Sequence, residues 1–412
     1  MQEKTCTPEM CAMVFHFRCF SQPDTRTQQR SSSPSLILPL HFFSFSSSSS
    51  FLLFPLVTLP HFHPHPHSYP AVAMSSQHTR FLASKTVADV LDEKKQSHAL
   101  IDIHVTATVE KVFDTLQAND ILSVPVYRHF NNVKDYVAII DTYDLLSTLE
   151  EKGFIVGDGS TPDTEFLSMP VAILVGMTKS SSKLWTCQPN LPLTNLIELF
   201  TKHRVHRILV LEEIPVRAGD MDNDDDSAEA DPLPEPKGRL ISQTDVIRYL
   251  LEHNHELGPI LDMKAEKAAG HALQYSDEYL DTNTAGHLKQ EPASITIDKP
   301  AWAALQKMSS AHASCVAIVD SDGALVEEMS AADLRGVNLD RIQDLNKPVL
   351  VYLKTSQGGS LKKPLSCRTE FSLAQLLSGL VLNHAHRSWL VDEQDRPIGC
   401  ISLSDVLSLF LD

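Results

Sequence analysis

His386-Arg387-Ser388-Trp389-Leu390-Val391-Asp392-Glu393, followed by Gly399-Cys400-Ile401-Ser402-Leu403-Ser404-Asp405, is the stretch whose reading decides the fold. It holds a short apolar run, a charged turn, a second short apolar run, and then an Asp in front of another apolar helix start. Just upstream, Leu373, Leu376, Leu377 and Leu380 recur at i, i+3, i+4 and i+7, the spacing of one helix face. The order is helix, strand, strand, helix, with a leading strand expected at 365–367.

The same pattern occurs three more times. Helix faces recur at Val109, Val112, Phe113, Leu116, at Leu193, Leu196, Ile197, Phe200, and at Ala301, Ala304, Leu305, Met308. Strands follow at 123–126, 207–210 and 315–319, and leading strands are expected at 99–105, 183–186 and 294–297. Each unit closes on an Asp before an apolar residue: Asp144, Asp245, Asp333 and Asp405. Each is therefore a βαββα module of about 60 residues, too small to cover both faces of its own sheet. Pairing two modules hides the open face, so four modules imply two pseudo-twofold pairs. The expected class is α/β (α+β), with units at 81–150, 168–256, 259–340 and 346–412.

The register supports a repeat. The interval from the last helix-face residue to the closing Asp is the same in the third unit (Met308 to Asp333) and the fourth (Leu380 to Asp405). It is slightly longer in the first and much longer in the second. The excess in the second is the stretch 212–237, with ten acidic residues against two basic ones and four prolines. Such composition predicts a solvated loop between two strands, with an acidic docking site for a basic partner as the alternative.

Composition sets outer limits. A net charge of −17 argues against nonspecific attraction to nucleic acid or an anionic membrane. Seven cysteines without a C-x-x-C pair suit plain thiols in a reducing setting, cytoplasmic or nuclear, rather than a disulfide framework or a metal site. Residues 1–73 mix Ser runs, Pro and His with no sustained period. The apolar stretch Leu36–Leu59 is broken by Ser46–Ser50, Pro39 and Pro55, which disfavours a spanning helix. The His-Pro run at 61–67 reads as low complexity, with Met74 as a possible native start. Phosphate-loop, dinucleotide, metalloprotease and nucleophile-elbow motifs are missing, so a non-enzyme is expected.

Two features could hold a ligand. A carboxylate accepts hydrogen bonds only, and suits the adjacent hydroxyls of a ribose diol. Yet Ser242-Gln-Thr-Asp245, Ser330-Ala-Ala-Asp333 and Ser402-Leu-Ser-Asp405 also match a helix-capping pattern, and both readings stay open. Ser242, Thr244, Ser330, Ser402 and Ser404 are the supporting hydroxyls. The second feature is His206-Arg207 and its repeat equivalent His386-Arg387, each at the entrance to a strand. Imidazole and guanidinium together suit a phosphate. The first and third units carry Leu122-Ser123 and Ser314-Cys315 there, with His312 two residues earlier as a possible substitute.

Taken together, the fourfold plan and the two His-Arg stretches resemble tandem CBS domains. More narrowly they resemble the gamma subunit of the AMP-activated (sucrose-non-fermenting) protein kinase. Ser182-Lys-Leu-Trp-Thr, Met329-Ser-Ala-Ala-Asp-Leu-Arg-Gly336 and Leu365-Ser-Cys-Arg-Thr are similar to its plant gamma-type branch. The resemblance covers 81–412 and implies two Bateman modules packed as a disk, with adenine nucleotides near the centre. It implies ribose held by Asp144, Asp245, Asp333 and Asp405, and phosphate held by His206, Arg207, His386 and Arg387. It further implies AMP, ADP or ATP as regulatory ligands, no catalytic cofactor, and kinase catalytic and scaffold subunits as partners. Leu122 and His312 stand where energy-sensing gamma subunits carry phosphate-binding arginines, so some pockets are expected to be relaxed. A CBS scaffold for a kinase or phosphatase is the alternative.

Overall fold

The computed structural model describes residues 76–94, 100–130, 133–151, 165–211, 238–271 and 292–412. The expectations for 1–73, for Met74 and for the acidic stretch 212–237 lie outside the described residues. Helices α1 (Gln77–Ala83) and α2 (Val87–Glu93) precede the first unit. That unit comprises β1 (Ile103–His104), α3 (Val109–Ala118), β2 (Ser123–Phe130), β3 (Val133–Asp141) and α4 (Thr142–Glu151), with α5 (Glu165–Ser168) after it. The second comprises β4 (Thr186–Cys187), α6 (Leu193–Lys202), β5 (Arg207–Leu211), β6 (Gly238–Ser242) and α7 (Gln243–Glu252). The third has β7 (Ser294–Thr296), α8 (Ala301–Ser310), β8 (Cys315–Val319) and β9 (Leu325–Ser330), followed by α9 (Val349–Ser356). The fourth has β10 (Ser366–Cys367), α10 (Leu373–Leu382), β11 (Arg387–Val391), β12 (Pro397–Ser402) and α11 (Leu403–Ser408).

Each unit forms a three-stranded sheet in which the leading strand lies parallel to the middle one and the last strand antiparallel to it. The helix between the first two strands is the crossover that a parallel pair requires. The four apolar helix faces fall on α3, α6, α8 and α10, and every face residue is buried. Full burial of one such leucine contributes about 1.5–3 kcal/mol. The third unit differs in closing with a single 3-10 turn, Ala331–Leu334, instead of an α-helix. Gly336 stops it: its φ is +70°, and its N–H donates to the carbonyl of Phe113 in the first unit at 3.2 Å.

All four helices end in the same way. Asp120, Arg204, His312 and His384 are left-handed, with φ between 48° and 54°. In three of the four, the next N–H reaches back into the helix: Ile121 to Leu116, Ala313 to Met308 and Ala385 to Leu380. This is the Schellman closure, made here without glycine.

The helix starts are also alike, and they reveal how linkers are used. Val109 N–H donates to Met169, Leu193 to Lys85, Ala301 to Lys347 and Leu373 to Met263. In return Val171 donates to Ala107, Val87 to Leu191, Val349 to Lys299 and Ala265 to Phe371. Each helix thereby satisfies an N-terminal donor that has no intrahelical partner. The segment preceding the first unit serves the second, and the one preceding the second serves the first. The same exchange joins the third and fourth.

The cores follow two rules. Helices of the second and fourth units share one large core with α1 and α2, and helices of the first and third share another. The sheets of the third and fourth units also pack on each other. Cys315, Ala317 and Val319 of the third unit pack on Trp389 and Val391 of the fourth. No helix among the described residues is long and apolar enough to cross a membrane.

Candidate functional site

The four closing aspartates make one identical contact. The Oδ2 of Asp144, Asp245, Asp333 and Asp405 accepts the backbone N–H of Asp141, Ser242, Ser330 and Ser402, at 2.9, 2.9, 2.8 and 2.8 Å. The hydroxyls of Ser242, Ser330 and Ser402 donate to the same oxygen at 2.7, 3.2 and 2.6 Å. This is reciprocal N-capping, and every copy makes it. A cap of this kind engages one carboxylate oxygen, so the surroundings of the other determine what else each aspartate can do.

Those surroundings differ. Asp144 is fully buried, and its Oδ1 accepts from Thr178 and Ser181 hydroxyls at 2.6 and 2.5 Å. Burial, and then the neighbouring Asp141 carboxylate, push its pKa up to about 8. A ribose could reach it only by displacing both hydroxyls. Asp333 Oδ1 accepts from Gln357 at 3.3 Å, and burial raises its pKa. Asp245 Oδ2 pairs with Lys94 at 3.0 Å. Asp144 and Asp333 thus have both oxygens engaged, and Asp144 alone holds its outer oxygen through two hydroxyls at 2.6 Å or less.

The basic residues converge. His386 is held down to about 3, first by burial and then by the positive fields of Arg207, Arg387, His206 and Arg335. Five basic side chains from three units are therefore close enough to act on one another electrostatically, in a chain whose net charge is −17. The His206 side chain is half open to solvent, so this flank of the group is reachable. Arg387 contacts Glu328 Oε1 at 3.4 Å, and Arg335 pairs with Asp120 at 2.7 Å. The Arg207 guanidinium makes no hydrogen bond or ion pair among the described residues. Burial lowers its pKa, while Asp141 and Asp245 support its charge and Arg335 opposes it.

Arg335 was not singled out from the sequence. It stands two residues after the closing Asp, where the other units carry Leu146, Ile247 and Leu407. A lone Arg at a repeat position otherwise apolar was the available signal. Asp141 was missed too; it occupies the cap position that is Ser in the other three units. Its Oδ1 accepts the N–H groups of Tyr143 and Asp144 at 2.8 and 3.2 Å, and its Oδ2 lies 3.5 Å from His206 Nδ1.

Other expected residues sit elsewhere. His312 is the exposed left-handed residue that ends α8, equivalent to Asp120, Arg204 and His384. Ser404 is buried between units, accepting from Gln243 Nε2 at 2.8 Å. Thr244 is half-buried, and its hydroxyl has no hydrogen bond among the described residues. Ser242, Ser330 and Ser402 act in the caps. Among the described residues no group of three or more His, Cys, Asp or Glu could hold a metal ion.

No protein-family model matches the chain. Similarity over most of its length is found to two proteins of Arabidopsis thaliana. One, the SNF1-related protein kinase regulatory subunit gamma-like PV42a, is 21% identical over 76% of this chain and 91% of its own length. The other, gamma-like PV42b, is 22% identical over 78% of this chain and 93% of its own length. Among solved structures, protein MJ1225 of Methanocaldococcus jannaschii, proposed as an archaeal homolog of g-AMPK, has a TM-score of 0.52 at 18% identity. The match covers 76% of this chain and 97% of that one. The chain has the fold of four tandem CBS units. Its four CBS units are paired in two Bateman modules, and it resembles a kinase gamma subunit across the repeat region. In CBS terms, the second, third and fourth units furnish the basic centre, and the first contributes an acid.

Proposed function

We propose that this CBS protein is an adenine-nucleotide-binding regulatory subunit of a protein kinase complex, acting in the cytoplasm or nucleus without catalysis of its own. The observation that carries this reading is the electrostatic proximity of His206, Arg207, Arg335, His386 and Arg387, with His206 open to solvent. Like charges brought together repel, and an anion of high charge density placed among them is strongly favoured. Guanidinium groups suit phosphate in particular, because their planar donors match its oxygens. Asp245, Asp333 and Asp405 are the candidates for a ribose diol, each standing at a helix start. Asp144 is the weakest of the four, being sealed by Thr178 and Ser181. The names of the Arabidopsis relatives support a gamma-like regulatory role and a kinase as partner.

Calorimetry of the full chain with AMP, ADP and ATP tests the nucleotide. Micromolar to low-millimolar binding, lost in Arg387→Ala, is the expected result; no binding at millimolar nucleotide overturns it. Purifying the tagged protein from its own cells tests the partner, with a protein kinase catalytic subunit expected among the co-purifying chains.

A second reading, a CBS scaffold with degenerate pockets, is favoured by one observation. Asp144 has both oxygens engaged inside the protein, so one of four ribose positions is closed. Kinase or phosphatase capture by a chain that binds no nucleotide would establish that reading.

A further inference from the structure

Three arginines surround the centre, and they are not equally satisfied. Arg335 has Asp120 and Arg387 has Glu328. Arg207 has no direct partner among the described residues, and the acids that sustain its charge are Asp141 and Asp245. Asp245 is already paired with Lys94 at 3.0 Å, whereas the basic side chain that Asp141 meets is His206 itself. Its Oδ1 takes two backbone N–H groups, while its Oδ2 is turned to His206 at 3.5 Å. Asp141 therefore stands on the two residues, His206 and Arg207, that the second unit offers to a phosphate.

The repeat shows that this acid is not needed for the fold. Ser242, Ser330 and Ser402 occupy the same cap position and close the same helix start. A serine caps as well as an aspartate, to within a few tenths of a kcal/mol. Unit one alone has an anion there, directed into a basic site. Its neighbour Asp144, raised by burial, adds little negative charge near neutrality, so the acid charge at this point is that of Asp141.

We propose that Asp141 is a built-in competitor for phosphate, a specificity-determining carboxylate that makes the His206-Arg207 side of the centre discriminate against highly charged ligands. The inference rests on the phosphate-binding reading of that pair. A carboxylate beside a phosphate repels it in proportion to ligand charge, so a nucleoside triphosphate suffers more than a monophosphate. Removing the carboxylate relieves the triphosphate most.

Asp141→Ser supplies the test, since it installs the cap residue of the other three units. Calorimetry of the full chain is run with AMP, ATP and inorganic pyrophosphate for wild type, Asp141→Ser and Asp141→Ser/Arg207→Ala. The expected result is that Asp141→Ser tightens pyrophosphate and ATP by about tenfold and AMP by less, and that adding Arg207→Ala removes the gain. Pyrophosphate separates this inference from the nucleotide reading. A gain for pyrophosphate without any binding of AMP or ATP supports the competitor and sinks the nucleotide. Unchanged affinity for all three probes, including no binding to either protein, overturns the competitor. An equal gain for AMP and ATP overturns the charge discrimination. Matching unfolding curves for wild type and Asp141→Ser establish that the comparison is between folded proteins.

Discussion

Trp389 of the fourth CBS unit donates its indole Nε1–H to Glu328 Oε2 of the third at 2.6 Å. The other oxygen of Glu328 faces Arg387 at 3.4 Å, so one carboxylate joins a sheet interface to the basic centre. Trp389 is otherwise enclosed in the small apolar cluster between the two sheets. Trp389→Phe keeps most of the apolar bulk and deletes the charge-assisted donor. It is expected to cost about 1.5–3 kcal/mol in urea unfolding, and to leave Glu328 more fully committed to Arg387. A change below about 0.5 kcal/mol would mean that water replaces the indole without loss.

The closing aspartates permit capping and ligand binding to be separated. Asp405→Asn retains an oxygen acceptor for the Ser402 N–H and removes the charge, whereas Asp405→Ala removes both. The alanine variant is expected to lose about 1 kcal/mol of stability, and the asparagine variant less. If Asp405 also holds ribose, both weaken AMP binding, the alanine variant by about 1–3 kcal/mol. Stability loss with unaltered affinity would confine Asp405 to the cap.

Asp144 gives a pH signature. Its folded pKa of about 8 lies above the ordinary carboxylate value, so between about 4 and 8 the folded chain holds a proton that the unfolded chain has released. Its contribution to stability is full below that window and is lost as pH rises through it. Asp144→Asn abolishes this titration while leaving an amide that can bond Thr178 and Ser181. The slope of Tm against pH from 5 to 8 should be less negative in the variant than in wild type. Identical slopes would show that Asp144 is ionised throughout.

His386 has the opposite sign. Burial and four neighbouring basic groups hold it near 3, so between about 3 and 6.5 the unfolded chain binds the extra proton. Stability is therefore lost as pH falls through that range. A phosphate placed beside the ring favours the imidazolium, raises the pKa and draws a proton in with the ligand. Nucleotide affinity should tighten as pH falls from 7.5 to 6, and by less in His386→Asn, which also controls for the nucleotide's own titration. Calorimetry in two buffers of different ionisation enthalpy measures the uptake.

What the sequence disclosed was whatever is local and repeated. Leu373, Leu376, Leu377 and Leu380 announce a buried face because helix period is a property of adjacent turns. The Ser402 to Asp405 cap spans three residues and is equally readable. The hydroxyls that seal Asp144 lie at Thr178 and Ser181, beyond the end of its own unit, and no local pattern links them. Arg335 and Asp141 are single departures from a repeat, meaningful only once the fold brings three units to one centre. The 3-10 ending of the third unit depends on the contact of Gly336 with Phe113 of another unit.

The exchanged linkers make each half of the chain a closed loop. α1 and α2 fasten onto the second unit, α5 and the turn after it onto the first, and the corresponding segments onto the fourth and third. The two large helical cores cross between the halves. A cut in the segment 272–291 would leave the linker at Met263 and Ala265 on the N-terminal piece, although it docks on Leu373 and Phe371 of the fourth unit. The two pieces, 1–271 and 292–412, should recognise one another as separate polypeptides, each carrying two of the four sheets and part of each helical core. Co-expressed halves are expected to co-purify, and this protein is thus a natural candidate for a split reporter whose reassembly is driven by its own hydrophobic faces.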